Sequence, residues 1–261
     1  MEVLKDKNVI PAQRQQAIMD YLRVNHTITV KGAATLCGVS EATARRDIDD
    51  MAAGGMLERT HGGATLHRGT GVEEYHAEKM KIMIPEKTKI VAAAAKLIND
   101  GDSVFLDSGT TTFLLAEQLR SHKKITIVTN NMDIAYNTQL DSSSTMFVTG
   151  GIRREGYSIL VGDVAQELIE KLCVDFAFLG ADAVNVEKGI FCSNFSEIGV
   201  KKGIVSIGKK RVLMADSSKF VKKALAKVCN ITDFDIVITD DGIPEEIRQI
   251  LEEKVEQVII V

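Results

Sequence analysis

The stretch from Ser40 to Ile48 constrains the fold of this chain more than any other. It reads Ser-Glu-Ala-Thr-Ala-Arg-Arg-Asp-Ile, and the leading serine can accept a backbone N–H of a helix's first turn. Ala44 and Ile48 are four residues apart, so one side of this helix can face a core. Arg45 and Arg46 fall elsewhere on its surface, and their guanidinium groups suit guanine edges and phosphate oxygens. These features predict a recognition helix for a DNA major groove.

The neighbouring segments complete a winged helix. A β-branched run over Thr27–Val30 precedes a small-residue helix over Lys31–Cys37, and a glycine then leads into the recognition helix. Upstream, residues 11–24 predict a helix that begins with proline. Downstream, residues 56–66 predict a hairpin turned at Gly62-Gly63. In this interpretation the DNA-binding residues are Lys31, Ser40, Glu41, Thr43, Arg45, Arg46, Arg59 and His61.

The charge of this first domain predicts how it binds DNA. Residues 1–67 carry eight lysines and arginines against eight aspartates and glutamates, so the domain is neutral overall. Its basic face must come from geometry, and we expect Asp47 to orient an arginine or cap locally instead of contacting a base. Few phosphate contacts per subunit predict weak binding by a monomer. We therefore expect a homodimer or homotetramer that reads repeated half-sites.

The rest of the chain predicts a second, larger domain. Residues 68–82 are polar and glycine-bearing and predict a linker, and from residue 83 to 261 short apolar strands alternate with helices. That alternation is typical of a mostly parallel α/β sheet. Nearly every strand ends in hydroxylic, glycine or aspartate residues. Because ligands of such sheets bind outside the carboxyl ends of the strands, these ends predict one crevice.

The clearest of these strand ends is Asp107–Thr112, which lies between a strand and a helix. Its hydroxyl and N–H groups at a helix N-terminus suit an anion, and a phosphate is the expected guest. The open alternative is that these residues only cap the helix. The expected effector-binding residues are Asp107, Ser108, Gly109, Thr110, Thr111, Thr112, Thr129, Asn130, Asn131, Gly150, Gly151, Asp182, Glu197, Lys201, Asp216 and Lys219.

Both parts of the chain resemble the DeoR family of bacterial sugar-metabolism regulators. In the first part the resemblance rests on Arg14, Ile18 and Leu22, on Ser40–Ile48 and on Leu57–Ala64. In the second it rests on Asp107–Thr112, Thr129–Asn131, Gly150-Gly151, Leu179–Asp182, Glu197 with Lys201, and Asp216–Lys219. The resemblance implies a winged helix-turn-helix joined to a sensor domain similar in fold to ribose-5-phosphate isomerase. It also implies a repressor of sugar-metabolism genes, double-stranded operator DNA as partner, and a phosphorylated sugar or related metabolite as effector.

Two other functions stay open at this point. Asp107, Asp182, Glu197 and Lys201 could act as acids and bases in a sugar-phosphate isomerase or deaminase with an appended DNA module. The same side chains can instead bind sugar hydroxyls, and the DNA-binding domain provides a use for them without turnover, so we expect no enzyme. The third possibility is an adaptor whose pocket is vestigial and which only oligomerises on DNA.

The sequence also argues against several classes of site and location. Four cysteines lie far apart with no C-x-x-C pair, and five histidines stand at no metal spacing, so we expect neither disulfides nor metal. Gly203–Lys210 is similar to a Walker A loop, but Lys210 stands where Ser or Thr should hold magnesium. We therefore expect Gly208 to end a helix, and we expect the chain to need no cofactor. No apolar run reaches ~18–20 residues, and Met1–Lys7 lacks a signal peptide's apolar core, so we expect a cytoplasmic protein without a membrane partner.

Overall fold

The chain folds into two compact units, Met1–Gly69 and Thr70–Val261. The computed structural model describes residues 10–25, 27–54, 56–60, 62–66, 79–154 and 156–261. Within these ranges no helix combines the length and the apolar character that crossing a bilayer requires.

The first unit is a winged helix. Its elements are α1 (Pro11–Asn25), β1 (Thr27–Thr29), α2 (Val30–Cys37), α3 (Glu41–Ala53), β2 (Leu57–Thr60) and β3 (Gly63–Leu66). The three strands form an antiparallel sheet in the order β1-β3-β2. At the first residue of β3 a Cβ atom would lie 2.1 Å from the carbonyl oxygen of Ile28, so glycine is required there for the strands to pair. The core under the sheet contains Ile18, Leu22, Ile28, Ala44, Ile48, Met51 and Leu57.

The turn between α2 and α3 follows from two residues. Gly38 ends α2 in the left-handed conformation, with φ of 65°, which glycine adopts without steric cost. Ser40 then caps α3, and its Oγ accepts the N–H of Thr43 at 3.1 Å. The helix, turn and helix predicted from the sequence are confirmed.

A buried ion pair fixes α1 against α3. The Nε and Nη2 atoms of Arg14 donate to Oδ2 and Oδ1 of Asp47 at 2.7 and 2.9 Å, and the two side chains are 11% and 6% exposed. Such a two-bond pairing sets the orientation of both side chains. Asp47 therefore orients an arginine, as expected, and that arginine comes from α1.

The second unit is an α/β sandwich built on a seven-stranded sheet, all of whose pairings are parallel. Its strands are β4 (Ser103–Leu106), β5 (Thr126–Thr129), β6 (Thr145–Val148), β9 (Val174–Leu179), β12 (Gly208–Met214), β14 (Ile236–Thr239) and β15 (Gln257–Ile260). Their spatial order is β15-β14-β12-β9-β4-β5-β6. Its helices are α4 (Ile84–Ala95), α5 (Thr110–Gln118), α6 (Met132–Asn137), α7 (Asp163–Ile169), α8 (Ile198–Ile207) and α9 (Glu245–Lys254).

Each face of this sheet buries its own apolar layer. On one face α4 and α5 pack against β4, β5 and β12, through residues such as Ile90, Leu115 and Ile127. On the other face α7 and α8 cover β9 and β12, through residues such as Ile169 and Ile204. Helices on both faces of a parallel sheet are the layer arrangement that the alternating sequence pattern predicts.

Some elements have no counterpart in the sequence prediction. An antiparallel sheet joins β10 (Ala183–Asn185), β11 (Gly189–Cys192) and β13 (Ala226–Cys229), and β7 (Ile152–Arg153) pairs with β8 (Leu160–Val161). These strands are two to four residues long, too short for an alternation of side chains to identify them. The stretch Gly203–Lys210 runs from α8 into β12, with Gly208 at the junction, which is the arrangement opposite to a strand-to-helix phosphate loop.

We predict that Asp47→Ala destabilises the winged helix by about 3 kcal/mol, because it removes the acceptor of both guanidinium bonds from a buried site. Amide hydrogen exchange of α1 and α3 in the full chain measures the loss. Asp50→Ala is the matched control, since Asp50 is exposed on the same helix, and it should change stability by no more than about 0.5 kcal/mol. Equal losses in the two variants would contradict a structural role for the pair.

Candidate functional site: an exposed arginine face and a charged pocket

The face of α3 that could read DNA is defined by what the helix buries. Ala44, Ile48 and Met51 are fully buried in the core of the first unit. Arg45 and Arg46 are exposed on the other side of the helix. Two adjacent guanidinium groups are therefore available at the N-terminal half of a helix whose opposite face is fixed in the core.

The other expected DNA-binding residues occupy varied environments. Lys31, Ser40 and Glu41 are exposed, and Thr43 is half-buried with its Oγ1 2.9 Å from Ser40 Oγ. Arg59 on β2 donates from Nε to Asp49 Oδ1 of α3 at 2.7 Å. His61 lies outside the described residues. Ser40 and Thr43 thus have a capping role in the helix whatever else they contact.

The pocket of the second unit lies where the order of the parallel strands reverses. From β4 the chain proceeds to β5 and β6 on one side, and then crosses to β9 and β12 on the other. The loops after β4 and β9 must therefore separate, which opens a crevice at their carboxyl ends. The pocket is lined by Lys79, Ser108, Gly109, Thr110, Thr111, Tyr157, Ile159, Gly180, Ala181, Asp182, Glu197, Lys201, Met214 and Lys219.

A buried ion pair lies beneath this pocket. Asp107, which is 0% exposed, follows β4 and accepts a hydrogen bond from the Lys201 ammonium of α8. The same carboxylate oxygen accepts the N–H of Gly180, at the end of β9, at 3.3 Å. One carboxylate thus joins two strand ends and a helix.

The charge on Lys201 is maintained by its surroundings. Burial by itself lowers the pKa of this ammonium, because it disfavours the charged form. The negative charges of Asp107 and Glu197 outweigh burial and raise the pKa of Lys201 above the ordinary lysine value. Lys201 is therefore a fixed cation at neutral pH and is unsuited to act as a base.

Two further ion pairs line the wall of the pocket. Lys79 Nζ lies 2.6 Å from Asp182 Oδ1, and this ammonium holds the pKa of Asp182 well below its usual range although burial acts to raise it. Arg154 pairs with Glu197, and its guanidinium carbon lies 3.8 Å from the centre of the Tyr157 ring. Each carboxylate that faces the pocket thus has a cationic partner.

The remaining side of the pocket is suited to an anion. Helix α5 begins after Gly109 with no side chain capping its first turn, so the N–H groups at its start keep their capacity to donate. Lys219 lines the same pocket, and within the described part of the chain no carboxylate lies within ion-pair distance of it. Burial lowers the pKa of Lys219, and a bound anion would offset that effect.

Several of the expected effector-binding residues do not line the pocket, and polar groups of some of them bond within the fold. Thr129 Oγ1 donates to the Leu106 carbonyl at 2.8 Å, and Asn131 Oδ1 caps α6 by accepting the N–H of Asp133 at 2.8 Å. Asp216 accepts the N–H of Ser218 and thereby caps a short 3-10 helix. The full set outside the lining is Asp107, Thr112, Thr129, Asn130, Asn131, Gly150, Gly151 and Asp216.

Conversely, the pocket contains residues that the sequence did not single out. Lys79 comes from the stretch expected to be a linker, and Tyr157 follows the β7 strand that was not predicted. No local motif marks Lys79, which stands among mixed polar and apolar residues from Glu78 to Ile82. Among the described residues no group of three or more His, Cys, Asp or Glu side chains is placed to hold a metal ion.

Two family models match the chain. Residues 14–70 match a model described as the DeoR-like helix-turn-helix domain, and residues 82–241 match one described as the DeoR C terminal sensor domain. Together they span the winged helix and most of the α/β unit.

Several proteins that match over most of the chain are named as regulators of transcription. It is 31% identical to an uncharacterized HTH-type transcriptional regulator of Haemophilus influenzae, over 92% of this chain and 93% of that protein. It is 29% identical to the transcriptional repressor AccR of Agrobacterium fabrum (90% and 95%) and 27% identical to the glycerol-3-phosphate regulon repressor of Escherichia coli K12 (92% and 94%). Among solved structures, ribose 5-phosphate isomerase A of Methanocaldococcus jannaschii overlaps 52% of this chain and 54% of its own, at 20% identity and a TM-score of 0.35.

We predict that Lys201→Met destabilises the second unit by about 3 kcal/mol, because the Asp107 carboxylate then stays buried without its ammonium partner. Adding Asp107→Asn should restore most of the loss, since no uncompensated charge remains. Thermal unfolding measures both effects, and Lys202→Met, which changes the exposed neighbouring residue, is the control. A double variant no more stable than Lys201→Met alone would show that charge is not the cause.

Proposed function

We propose, given that this chain belongs to the DeoR family of transcriptional regulators, that it is a sequence-specific repressor controlled by a phosphorylated sugar or related metabolite. Its operator is double-stranded DNA, and it acts as a homodimer or homotetramer in the cytoplasm, where such DNA lies. We retain the division into a DNA-binding domain (1–67), a linker (68–82) and an effector-binding domain (83–261). Repression is consistent with the names of relatives such as AccR and the glycerol-3-phosphate regulon repressor.

The observation that carries the DNA-binding part is the exposure of Arg45 and Arg46 on a helix whose other face is fixed. The Arg14–Asp47 pair and the buried Ala44 and Ile48 hold α3 in one orientation. Fixing the helix matters because base readout needs guanidinium groups at defined positions in the groove. Arg59 is paired with Asp49. In this proposal Arg59 therefore orients the wing, and it contacts phosphate only at the edge of the DNA interface.

The observation that carries the effector part is the combination of Lys219 with the uncapped start of α5 in one pocket. A phosphate would accept the N–H groups of Thr110 and Thr111 and pair with the Lys219 ammonium. The hydroxyls of a sugar would then face Asp182 and Glu197. For the switch, we propose that the bound effector changes how subunits pack, so that two recognition helices no longer match the half-site spacing.

Catalysis by the same pocket is the weaker proposal. A general base needs a carboxylate whose pKa lies near the working pH. Asp182 has a pKa held well below its usual range, and Glu197 is paired with Arg154. Turnover of ribose 5-phosphate by the purified protein, lost in Glu197→Gln, would favour the isomerase alternative.

We predict that replacing both Arg45 and Arg46 by Ala weakens binding to a duplex, selected by the full chain from a random pool, at least about tenfold. The reason is that each arginine bonded to a base edge contributes ~1–3 kcal/mol. Fluorescence anisotropy measures the affinity, and Arg248→Ala on α9 is the control for lost positive charge. A loss below about 1 kcal/mol would contradict direct contact by the pair.

We predict that phosphorylated compounds raise the melting temperature of the chain where their unphosphorylated forms do not. A suitable panel is ribose 5-phosphate, glycerol 3-phosphate and inorganic phosphate against ribose and glycerol. Lys219→Met should weaken binding of the active compound about tenfold or more, because a charge-assisted hydrogen bond is lost. Lys223→Met, an exposed lysine four residues on, should leave binding unchanged. A shift with unphosphorylated compounds alone would exclude phosphate as the recognised group.

A further inference from the structure

One lining residue of the pocket does not come from the loops of the sheet. Lys79 belongs to residues 79–83, the segment that precedes α4 and is the first described part of the second unit. In the chain, this segment follows directly on the residues that connect the sensor domain to the DNA-binding domain. Lys79 therefore has its side chain in the pocket and its backbone in the segment 79–83.

At the pocket end, Lys79 is held by a fixed acceptor. Asp182 Oδ2 accepts the N–H of Ser193 at 2.8 Å, and Asp182 Oδ1 lies 2.6 Å from Lys79 Nζ. The two side chains are 16% and 19% exposed, so the pair is largely shielded from solvent. Asp182 is thus held by a backbone donor through its second oxygen, and Lys79 links it to the segment before α4.

At the other end, the backbone of the same segment is held by a buried cation. Lys87 of α4 is 1% exposed, and its ammonium donates to the carbonyl oxygens of Lys79 and Ile82. Met83, the last residue of the segment before α4, has a φ of 54°, a left-handed conformation that residues with a side chain seldom adopt. Such a conformation persists only where its surroundings impose it. The path of residues 79–83 thus depends on contacts at both of its ends.

A ligand in the pocket would act on the first of these contacts. An anionic group competes with Asp182 for the Lys79 ammonium, and a sugar hydroxyl competes with Lys79 for the Asp182 carboxylate. Either contact weakens the bond between the Lys79 ammonium and Asp182, and so changes the preferred position of the ammonium. Because Lys79 joins the Asp182 contact to a carbonyl that Lys87 holds, we expect the change to reach the backbone of residues 79–83.

We propose that Lys79 is an effector-contacting residue that transmits occupancy of the pocket to the segment leading to the DNA-binding domain. The proposal rests on the proposed function, because it names how the same pocket acts on DNA binding. It assigns two tasks to one side chain: binding the ligand and fixing the path of the chain next to it. A ligand changes the conformation of residues 79–83 only through its differential contact with Lys79 and Asp182.

The first experiment needs no ligand. Amide hydrogen exchange at Ile82, whose N–H bonds to the Lys79 carbonyl, is measured by mass spectrometry of peptides spanning residues 79–87 in the full chain. Lys79→Met should speed this exchange about tenfold or more, since a charge-assisted bond is lost. Lys79→Arg should restore most of the protection. Lys81→Met is the matched control, because Lys81 is exposed in the same segment, and it should have no effect. Unchanged exchange in Lys79→Met overturns the proposal.

The second experiment adds ribose 5-phosphate or inorganic phosphate and follows melting temperature, exchange at Ile82 and affinity for the selected duplex. In the unchanged chain, a compound that raises the melting temperature should also alter exchange and duplex affinity. In Lys79→Met the same compound should still raise the melting temperature, because Lys219 and α5 remain. It should no longer alter exchange at Ile82 or affinity for the duplex. A full response in Lys79→Met overturns the proposal. If neither compound raises the melting temperature of either protein, phosphate recognition fails, and the ligand-free experiment alone decides the role of Lys79.

Discussion

The second unit is organised around a buried ion pair between Asp107 and Lys201. It lies under the point where β4 and β9 separate, and it ties both strand ends to α8. A buried carboxylate is tolerated only if a cation and N–H donors compensate it. Because Lys201 is committed to that task, the pocket above it has a fixed floor whose charges cancel.

The same principle explains the character of the pocket walls. Asp182 and Glu197 are compensated by Lys79 and Arg154 in turn, so each carboxylate that lines the pocket has a cationic partner. Lys219 differs from the others, since the described residues offer it no carboxylate at ion-pair distance. Paired acids beside a lysine with no such partner among the described residues are consistent with the proposed binding of an anion.

The winged helix uses a buried ion pair for a different purpose. Asp47 follows Arg46 in the chain, and a carboxylate at that place could weaken phosphate binding by the neighbouring arginines. Its pairing with Arg14 of α1 turns it into the core and leaves Arg45 and Arg46 exposed. The acid nearest to the two arginines in the chain is in this way taken into the core.

The sequence by itself determined the local elements, and the tertiary structure decided which of them meet. The cap at Ser40, the turn at Gly38 and the strand from Ser103 to Leu106 follow from propensities and spacings within a few residues, so they could be predicted. The order of strands could not, since it depends on pairing between segments up to about 70 residues apart, such as β4 with β9. That order makes the loops after β4 and β9 the walls of the pocket, while Thr129 and Asn131 bond within the fold. It also brings Lys79 to Asp182, a contact across more than 100 residues that only the packed structure can form.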